Sequence, residues 1–318
     1  MGYGLVSVII PAYNAERYIK TAVKSVLCQT YQNLEVIVVD DASSDGTTEV
    51  VRTIPDSRVK LIRHDRNKGP GAARNTGIAA CSPGSKWLAL LDADDEWLPQ
   101  RLEFLLSQVQ ENDQRFFVAD EKLGAMDTDE GLIPWAELKM LKGLFRYRDS
   151  DVRDVGLVAY LRGGAPVLQP IVPLQHIRRY GVRYNETARM GEDFEFYVRL
   201  FQTGLTLRAC RQALYLYRVN PESLTRRPDV KDDLIRVYER LLDEEWADAE
   251  VPALLRRWHS FARLSADINR RQWGNAARVV TANPDVIRAV VQYLPMWIRN
   301  KTRGRLVLRQ QAKRLRAE

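Results

Sequence analysis

Cysteine is scarce in this chain: Cys28, Cys81 and Cys210 are the only three in 318 residues. They stand far apart, with no metal-ligand spacing and no pattern of a disulfide framework, so the sequence reads as one kept in a reducing compartment. Long apolar runs are missing too. No stretch reaches the ~18 uninterrupted apolar residues of a membrane-spanning helix. The first apolar run follows no basic leader and meets Pro11, which reads as a strand and not a signal peptide. Two glycine signatures are also absent. PAYNAE follows the first strand where a dinucleotide fold would place G-x-G-x-x-G, and no G-x-x-x-x-G-K-[ST] phosphate loop occurs. These absences argue against a nicotinamide enzyme and against a P-loop nucleotide hydrolase.

What is present suits a sizeable core. Hydrophobic residues make up 45% and charged residues 28%, an ordinary globular balance. The length allows one large α/β domain with additions, or two domains. The net charge of +7 is unevenly placed. Leu294 to Glu318 holds eight basic residues and one acid, so this segment carries the whole excess and the rest of the chain is balanced.

Strand and helix alternate from the start. Leu5–Ile10, Leu34–Val39, Val59–Ile62 and Trp87–Leu91 read as buried strands. Ala15–Leu27, a segment from about Thr47 capped by Ser44 or Asp45, and Ala72–Ala80 read as helices, with Asn75 near the start of the last. This order predicts a parallel sheet covered by helices, with ligands beyond the carboxyl ends of the strands. Those ends carry Pro11-Ala12-Tyr13-Asn14, Asp40-Asp41, His64-Asp65 and Asp92-Ala93-Asp94. Arg101–Val109 then reads as a helix and Arg115–Ala119 as a strand. Asp120–Gly131 reads as an acidic loop, and Pro134–Lys142 and Val155–Leu161 as helices. Trp135 has two readings, a sugar-stacking platform or a core residue. Gly191-Glu192-Asp193 opens a further helix, and Lys231–Trp246, Pro252–Asn269, Gly274–Ala282 and Val286–Met296 form a helical appendage.

The chain is organised around KWLALLDADDEWLP, where a strand releases Asp92, Asp94 and Asp95 at one point. Like charges crowd there, which raises the cost of keeping each ionised. A divalent cation with a polyphosphate would resolve the crowding, since Mg²⁺ is usually held by one or two carboxylates plus phosphate oxygens. A solvated acidic turn that caps the next helix is the plainer alternative.

VSVIIPAYN, VVDDASSDGT, NKGPGAARNTG and LLDADD, in this order and spacing, with MGEDFEFYVRL later, resemble the family 2 glycosyltransferases. The resemblance is dense over roughly the first 115 residues and resumes at Met190–Leu200. It implies the GT-A fold, an α/β nucleotide-diphospho-sugar transferase architecture with a mostly parallel sheet flanked by helices. The divisions expected are 1–115 for the nucleotide sugar, 116–228 for the acceptor and the base, and 229–318 for the appendage.

The same resemblance assigns roles. Pro11, Ala12 and Tyr13 would surround the nucleotide base and Asp41 would take its edge, while Asp40 turns the loop. Arg74, Asp92 and Ala93 would face the donor, Asp94 would ligate Mg²⁺ or Mn²⁺, and Asp95 would support it or cap a helix before Trp97. Asp193 would be the catalytic base, with Glu192 orienting the site or bonding the acceptor. The implied reaction is inverting transfer of a hexose, read as glucose in the succinoglycan type of exopolysaccharide synthesis, from a UDP-linked donor to a saccharide hydroxyl. Many relatives carry a histidine in the segment that here reads YRVNPESLT. Asn220 stands there instead, so a third metal ligand is absent or is supplied weakly by Asn220 or Ser223.

Two rivals remain at this stage: a nucleotidyltransferase that makes sugar nucleotides, and a non-catalytic nucleotide-sugar-binding subunit. The first would want a glycine-rich, lysine-bearing loop after the first strand, and the second would be expected to lack Asp94 or Asp193. Trp297–Glu318 is basic, with Ile298, Leu308, Ala312 and Leu315 on one helical face. It reads as a contact for an anionic membrane surface, which suggests a lipid-linked acceptor and a cytoplasmic protein peripheral at the inner face of the plasma membrane. Nucleic acid is not an expected partner, because no basic stripe with interleaved aromatics occurs elsewhere.

Overall fold

The computed structural model describes residues 2–110, 113–128, 131–145, 150–219 and 230–283, with 286, 287 and 290. The chain divides into two compact units, Met1–Arg218 and Val219–Glu318.

The first unit is built on one ten-stranded sheet. Its opening half is β1 (Leu5–Ala12), β2 (Leu34–Asp40), β3 (Val59–Arg63) and β4 (Ser85–Leu90). They run parallel in the order β3-β2-β1-β4. All seven residues of β2 are buried, as expected of a parallel strand covered on both faces. β1 runs past Pro11, which the sequence had as its end. Beyond Ile9 the β4 ladder has stopped, and Pro11 and Ala12 pair with β2 alone, opposite Val39 and Asp40. A residue without an N–H is tolerated at such an edge.

Helices α1 (Ile19–Leu27), α2 (Thr47–Arg52) and α3 (Pro70–Ala80) join these strands. In α1, Ile19, Ala22, Val23 and Val26 form the buried stripe. The N-cap of α2 is Gly46, not Ser44 or Asp45; Asp45, one residue earlier, accepts from the Thr47 N–H at 3.1 Å. In α3, Pro70 takes the first turn after Gly69 at φ 89°, so Asn75 lies mid-helix and not at its start. Its amide instead clasps a distant backbone: Nδ2 donates to Tyr184 O at 2.9 Å and Oδ1 accepts from Tyr184 N at 2.8 Å. Gly71 lets that segment approach, since a Cβ there would lie 2.5 Å from Asn185 O.

After β5 (Glu96–Trp97) and α4 (Arg101–Ser107), the second half of the sheet departs from the sequence reading. Asp120 to Thr128 is not a loop but the continuation of β6 (Phe116–Thr128), and Pro134 lies in β7 (Gly131–Glu137), not in a helix. The acids misled because they are buried and paired. Asp120 takes Arg101, whose Nη2 donates at 2.7 Å, and Glu121 accepts from the N–H groups of Lys122, Met140 and Leu141. Pro134 sits on a strand paired through β6 alone, where a missing donor costs little.

A short 3-10 turn (Met140–Leu144), β8 (Val152–Val155), α5 (Leu157–Arg162), β9 (Ile171–Pro173), α6 (Leu174–Tyr180), α7 (Glu192–Gln202) and β10 (Thr206–Arg218) complete the unit. Antiparallel β9 bridges the halves between β4 and β6, and β10 runs parallel to β6 from Thr206↔Phe116 to Arg218↔Ala125.

The second unit holds α8 (Val230–Leu242), α9 (Glu250–Asn269) and α10 (Trp273–Ala282). Leu264, Ala276 and Val286 form a small core there. Among the described residues no helix is long and apolar enough to cross a membrane. The expected helix Val286–Met296 for the most part, Asn220, Ser223, the Trp135 side chain and the Trp297–Glu318 tail lie outside the described residues.

Candidate active site

The carboxyl ends of β1 and β2 are stitched into one rim. Asn14 and Ala42, the residues that turn the chain there, both adopt left-handed backbone, at φ 50° and 60°. Asparagine tolerates this and alanine rarely does, so Ala42 marks strain held by its surroundings. Asn14 Oδ1 accepts from Ser44 N, and Ser43 Oγ accepts from Asn14 N, each at 2.9 Å. Tyr13 projects from this rim with 53% of its surface exposed, whereas Ala12 is buried and Pro11 half-buried.

The two aspartates after β2 are buried and differently engaged. Asp40 accepts from Ser43 N and from the Thr48 hydroxyl, and Arg63 lies 3.8 Å away, so it turns the loop. Asp41 accepts from Lys68 N at 2.9 Å and Gly69 N at 2.7 Å, and His64 Nδ1 lies 2.7 Å from its Oδ1. Asp41 thereby fixes the glycine loop at the start of α3. His64, closed on its other side by Thr76 at 2.9 Å, was not among the sequence candidates.

Arg74, from α3, is the centre of the site. Its side chain is 6% exposed. Nη1 donates to Glu192 Oε1 at 2.8 Å, Nη2 donates to Asp92 Oδ1 at 3.1 Å, and Asp193 Oδ1 lies 3.5 Å from Nη1. One guanidinium thus joins the end of β4 to the start of α7, and its own bond to Glu192 spans 118 residues of sequence. Burial works against its charge, but Asp193, Asp92 and Glu192 outweigh that and hold its pKa well above the ordinary value. The face of Tyr184, stacked on Phe196 at 4.0 Å, lies 5.3 Å from the guanidinium carbon.

The acidic turn after β4 has three separate environments. Asp92 is fixed on both oxygens, by Arg74 and by Gln169, whose Nε2 donates to Oδ2 at 2.8 Å. Asp95 is sealed: Tyr215 Oη donates to Oδ2 at 2.7 Å and Arg218 N donates to Oδ1 at 2.8 Å. It caps no helix, because Glu96–Trp97 form β5 and α4 begins only at Arg101. Burial, then the charges of Asp94 and Asp92, push its pKa well up.

Asp94 differs from both. Among the described residues no other side chain hydrogen-bonds its carboxylate, although Arg218 holds its backbone carbonyl at 2.5 Å. Burial and the neighbouring Asp92 raise its pKa to about 6. A bound cation would reverse that shift by favouring the ionised form. No three His, Cys, Asp or Glu side chains surround a point a metal could fill, among the described residues. One carboxylate with substrate oxygens still fits the way Mg²⁺ is commonly bound.

Asp193 opens α7 behind Gly191, which takes φ 87°. Burial raises its pKa to about 7, with Glu192 and Asp92 adding and Arg74 opposing. Its Oδ1 is sealed against Arg74 without a hydrogen bond, so the 16% exposure of the side chain lies on its other atoms. Tyr184 Oη, Gln169 Oε1 and Arg74 Nε are likewise buried without a hydrogen-bond partner. Buried polar atoms without a partner are rare in a finished core.

The structure therefore gathers Arg74, Asp92, Glu192 and Asp193 in direct contact. Asp95, and with it the turn bearing Ala93 and Asp94, is tied in through Tyr215, which accepts from Asp92 N at 3.4 Å. Pro11, Ala12, Tyr13 and Asp41 share the rim at the ends of β1 and β2: Ala12 O accepts from Asp41 N at 2.8 Å, and Asp41 reaches the start of α3 through Gly69 N. Sequence reasoning missed Gln169, Tyr184, Tyr215 and Arg218. Tyr215 and Arg218 lie just before and within the segment searched for a histidine, and Gln169 sits in a stretch without any motif.

The comparisons with known proteins agree with this architecture. The model of "Glycosyl transferase family 2" matches residues 7–149. The succinoglycan biosynthesis protein ExoO of Rhizobium meliloti is 30% identical over 297 residues, 89% of this chain and 83% of that protein. An Escherichia coli protein, the UDP-Glc:alpha-D-GlcNAc-diphosphoundecaprenol beta-1,3-glucosyltransferase WfgD, is 41% identical over 119 residues, 37% of this chain and 46% of its own length. Among solved structures, S. aureus TarS 1-349 in complex with UDP aligns with a TM-score of 0.63 at 20% identity, covering 96% of this chain and 91% of that one. The mannosyltransferase PcManGT of Pyrobaculum calidifontis, in complex with GDP-Man and Mn²⁺, aligns at 0.58 and 18% identity, covering 98% and 87%. With a relative 30% identical along most of both chains and the fold shared with TarS, the protein belongs to glycosyl transferase family 2 and has the GT-A fold.

Proposed function

We propose that this glycosyltransferase moves a hexose, glucose in our reading, from a UDP-linked donor to a hydroxyl of a lipid-linked saccharide, with inversion, in cell-surface or exopolysaccharide synthesis. The observation that carries the reading is the Arg74 bridge. It brings Asp193, a carboxylate with a pKa near neutral, against the aspartate turn where a diphosphate would be bound. Glucose, UDP and the lipid carrier are supported by the activity that the name of WfgD states, and succinoglycan-type synthesis by ExoO.

In this reading Tyr13 stacks on the nucleotide base, flanked by Pro11 and Ala12. Asp41 serves the base by holding the loop beside it, both its oxygens being engaged already. Asp92, kept in place by Arg74 and Gln169, and Ala93 face the donor, and Asp95 anchors their turn. Asp94 would hold Mg²⁺ or Mn²⁺; the cation offsets charge on the departing nucleoside diphosphate when bound. Asp193 accepts the proton of the attacking hydroxyl, and Glu192 orients that region. Inversion follows from attack on the face opposite the departing diphosphate.

A donor screen with release of free nucleoside diphosphate as readout tests the function. UDP release from UDP-glucose is the expected result; release of inorganic diphosphate would point to a nucleotidyltransferase, and no turnover with any donor would point to a binding subunit. Metal use has its own test. Asp94→Asn should remove the gain in UDP affinity that Mg²⁺ or Mn²⁺ gives, a loss of about 1.5–3 kcal/mol for a charge-assisted contact, or roughly 10- to 100-fold. Calorimetric titration with and without EDTA reads it, and equal metal-dependent affinity in the variant removes Asp94 from the role.

We assign the basic segment Trp297–Glu318 to an anionic membrane surface, at about 1 kcal/mol per nearby Lys or Arg, which would keep the enzyme peripheral at the inner face of the plasma membrane. Flotation with anionic liposomes should fall when residues 297–318 are removed. Undiminished flotation ends this assignment.

A further inference from the structure

Among the described residues Asp94 is the one acid of its turn whose carboxylate no side chain holds, so its backbone must place it. That backbone leans on Arg218. β10 meets β5 antiparallel, with Tyr215 opposite Trp97 and Leu216 opposite Glu96. Two residues further in the same register, the last residue of β10 comes opposite Asp94. There Arg218 holds three consecutive residues of the turn. Its Nε donates to Asp94 O at 2.5 Å, its backbone N to Asp95 Oδ1 at 2.8 Å and its Nη2 to Glu96 Oε1 at 3.1 Å.

The guanidinium itself is closed to a ligand. Its side chain is 4% exposed. Nη1 pairs with Asp127 of β6, which also lies 3.9 Å from Arg17, and the ring of Tyr18 covers the guanidinium carbon at 4.4 Å. An arginine placed to grip the donor would keep a fork of N–H groups free for phosphate oxygens. Here the edge formed by Nε and Nη2 is committed to the turn and Nη1 to Asp127. Glu96 and Asp127 face one positive charge, so Arg218 has none to spare for a diphosphate.

The bond to the Asp94 carbonyl is what matters for the site. Carbonyl and side chain share one Cα, so a fixed carbonyl leaves the carboxylate only the few staggered positions of its own rotamers. Among the described residues no set of three ligating side chains surrounds a cation position. Cation binding at Asp94 would therefore depend on how that one carboxylate is presented.

We propose that Arg218 is a positioning residue for the cation: it braces the Asp94–Glu96 turn so that Asp94 presents a free carboxylate to a divalent cation bound with the nucleoside diphosphate. The inference rests on the reading of Asp94 as the cation's ligand. The brace acts through the shape of the guanidinium and not through its charge, which Glu96 and Asp127 already offset. A lysine therefore does not replace it, because an ammonium is a point charge without a planar edge to meet a carbonyl and a carboxylate together.

The test is calorimetric titration of the full chain with UDP, once with Mn²⁺ and once with EDTA, for the wild type, Asp94→Asn, Arg218→Lys and Arg218→Met. Each Arg218 variant should cut the gain in UDP affinity that Mn²⁺ gives by about tenfold, the low end of the loss when a contact supporting a metal ligand is removed. UDP affinity in EDTA should stay at the wild-type level in both. If Asp94→Asn loses the gain while either Arg218 variant keeps it, this proposal alone is overturned; a gain kept by Arg218→Lys only would make the residue a charge and not a brace. An equal fall of UDP affinity in EDTA would make Arg218 merely structural and overturns the proposal too. Circular dichroism checks the fold: where one variant fails to fold the other decides, and failure of both counts as the structural outcome. A wild type that gains nothing from Mn²⁺, or an Asp94→Asn variant that gains as the wild type does, removes the reading of Asp94 and the brace with it.

Discussion

Asp193→Asn is expected to lower the transfer rate by about 10²–10⁴-fold, the usual range for a lost general base, with UDP binding preserved. The amide keeps the shape of the side chain and its place beside Arg74, but cannot take the hydroxyl proton. Steady-state transfer kinetics, paired with calorimetric UDP titration, measure both halves of this outcome. A pH profile adds an independent reading. Burial holds Asp193 protonated up to about pH 7, and only the ionised form can act as base. In the wild type kcat/KM should therefore rise with pH through about 7 and level off above it. The variant should lack that limb. Near-normal turnover in Asp193→Asn with intact nucleotide binding would remove Asp193 from the chemistry.

Arg74→Ala should be the most destabilising single change at the site. It strips the cation from Asp92, Glu192 and Asp193 while leaving all three in place. Breaking a buried pair from one side costs about 3–5 kcal/mol, which for a unit of this size is roughly 6–20 °C in Tm. The deficit should grow with pH. Without Arg74 the buried Asp193 loses the charge that opposes its upward shift, so the folded protein must ionise it at greater cost as pH increases. Thermal unfolding at pH 5.5 and pH 8 reads the trend, and a deficit that is equal at both values would mean the cation is not compensating charge. Arg74→Lys should recover little, because a single ammonium cannot span donors to Glu192 and Asp92 as a fork does.

The opening half of the sheet was legible because β1, β2 and β4 are near-continuous apolar strands and their ends carry dense motifs. The aspartate turn, Arg74 and the Glu192-Asp193 step could all be picked out one by one. Their contact could not, since nothing in local pattern reports that α3 and α7 meet. The β6–β7 hairpin was misread for a related reason. Asp120, Glu121 and Lys122 look like a solvated loop in isolation, and become strand residues only through Arg101, the Met140 and Leu141 backbone and the Tyr215 ring. Of the two readings of Asp95, the helix cap fails because the following Glu96–Trp97 pair joins β10 before any helix begins. Gln169 was invisible: a lone amide in a loop gains meaning only from the Asp92 oxygen it meets.

The shared guanidinium also limits how this enzyme can diverge. Arg74 and Asp92 come from the early part of the chain, Glu192 and Asp193 from the late part; cut apart, the late pair is left without its cation and the guanidinium loses two of its three acids. A lineage can trade the rim loops piecemeal to suit new sugars. It can inherit the bridge only whole, so a graft of one half onto a stranger needs a matching cation or acid waiting on the far side.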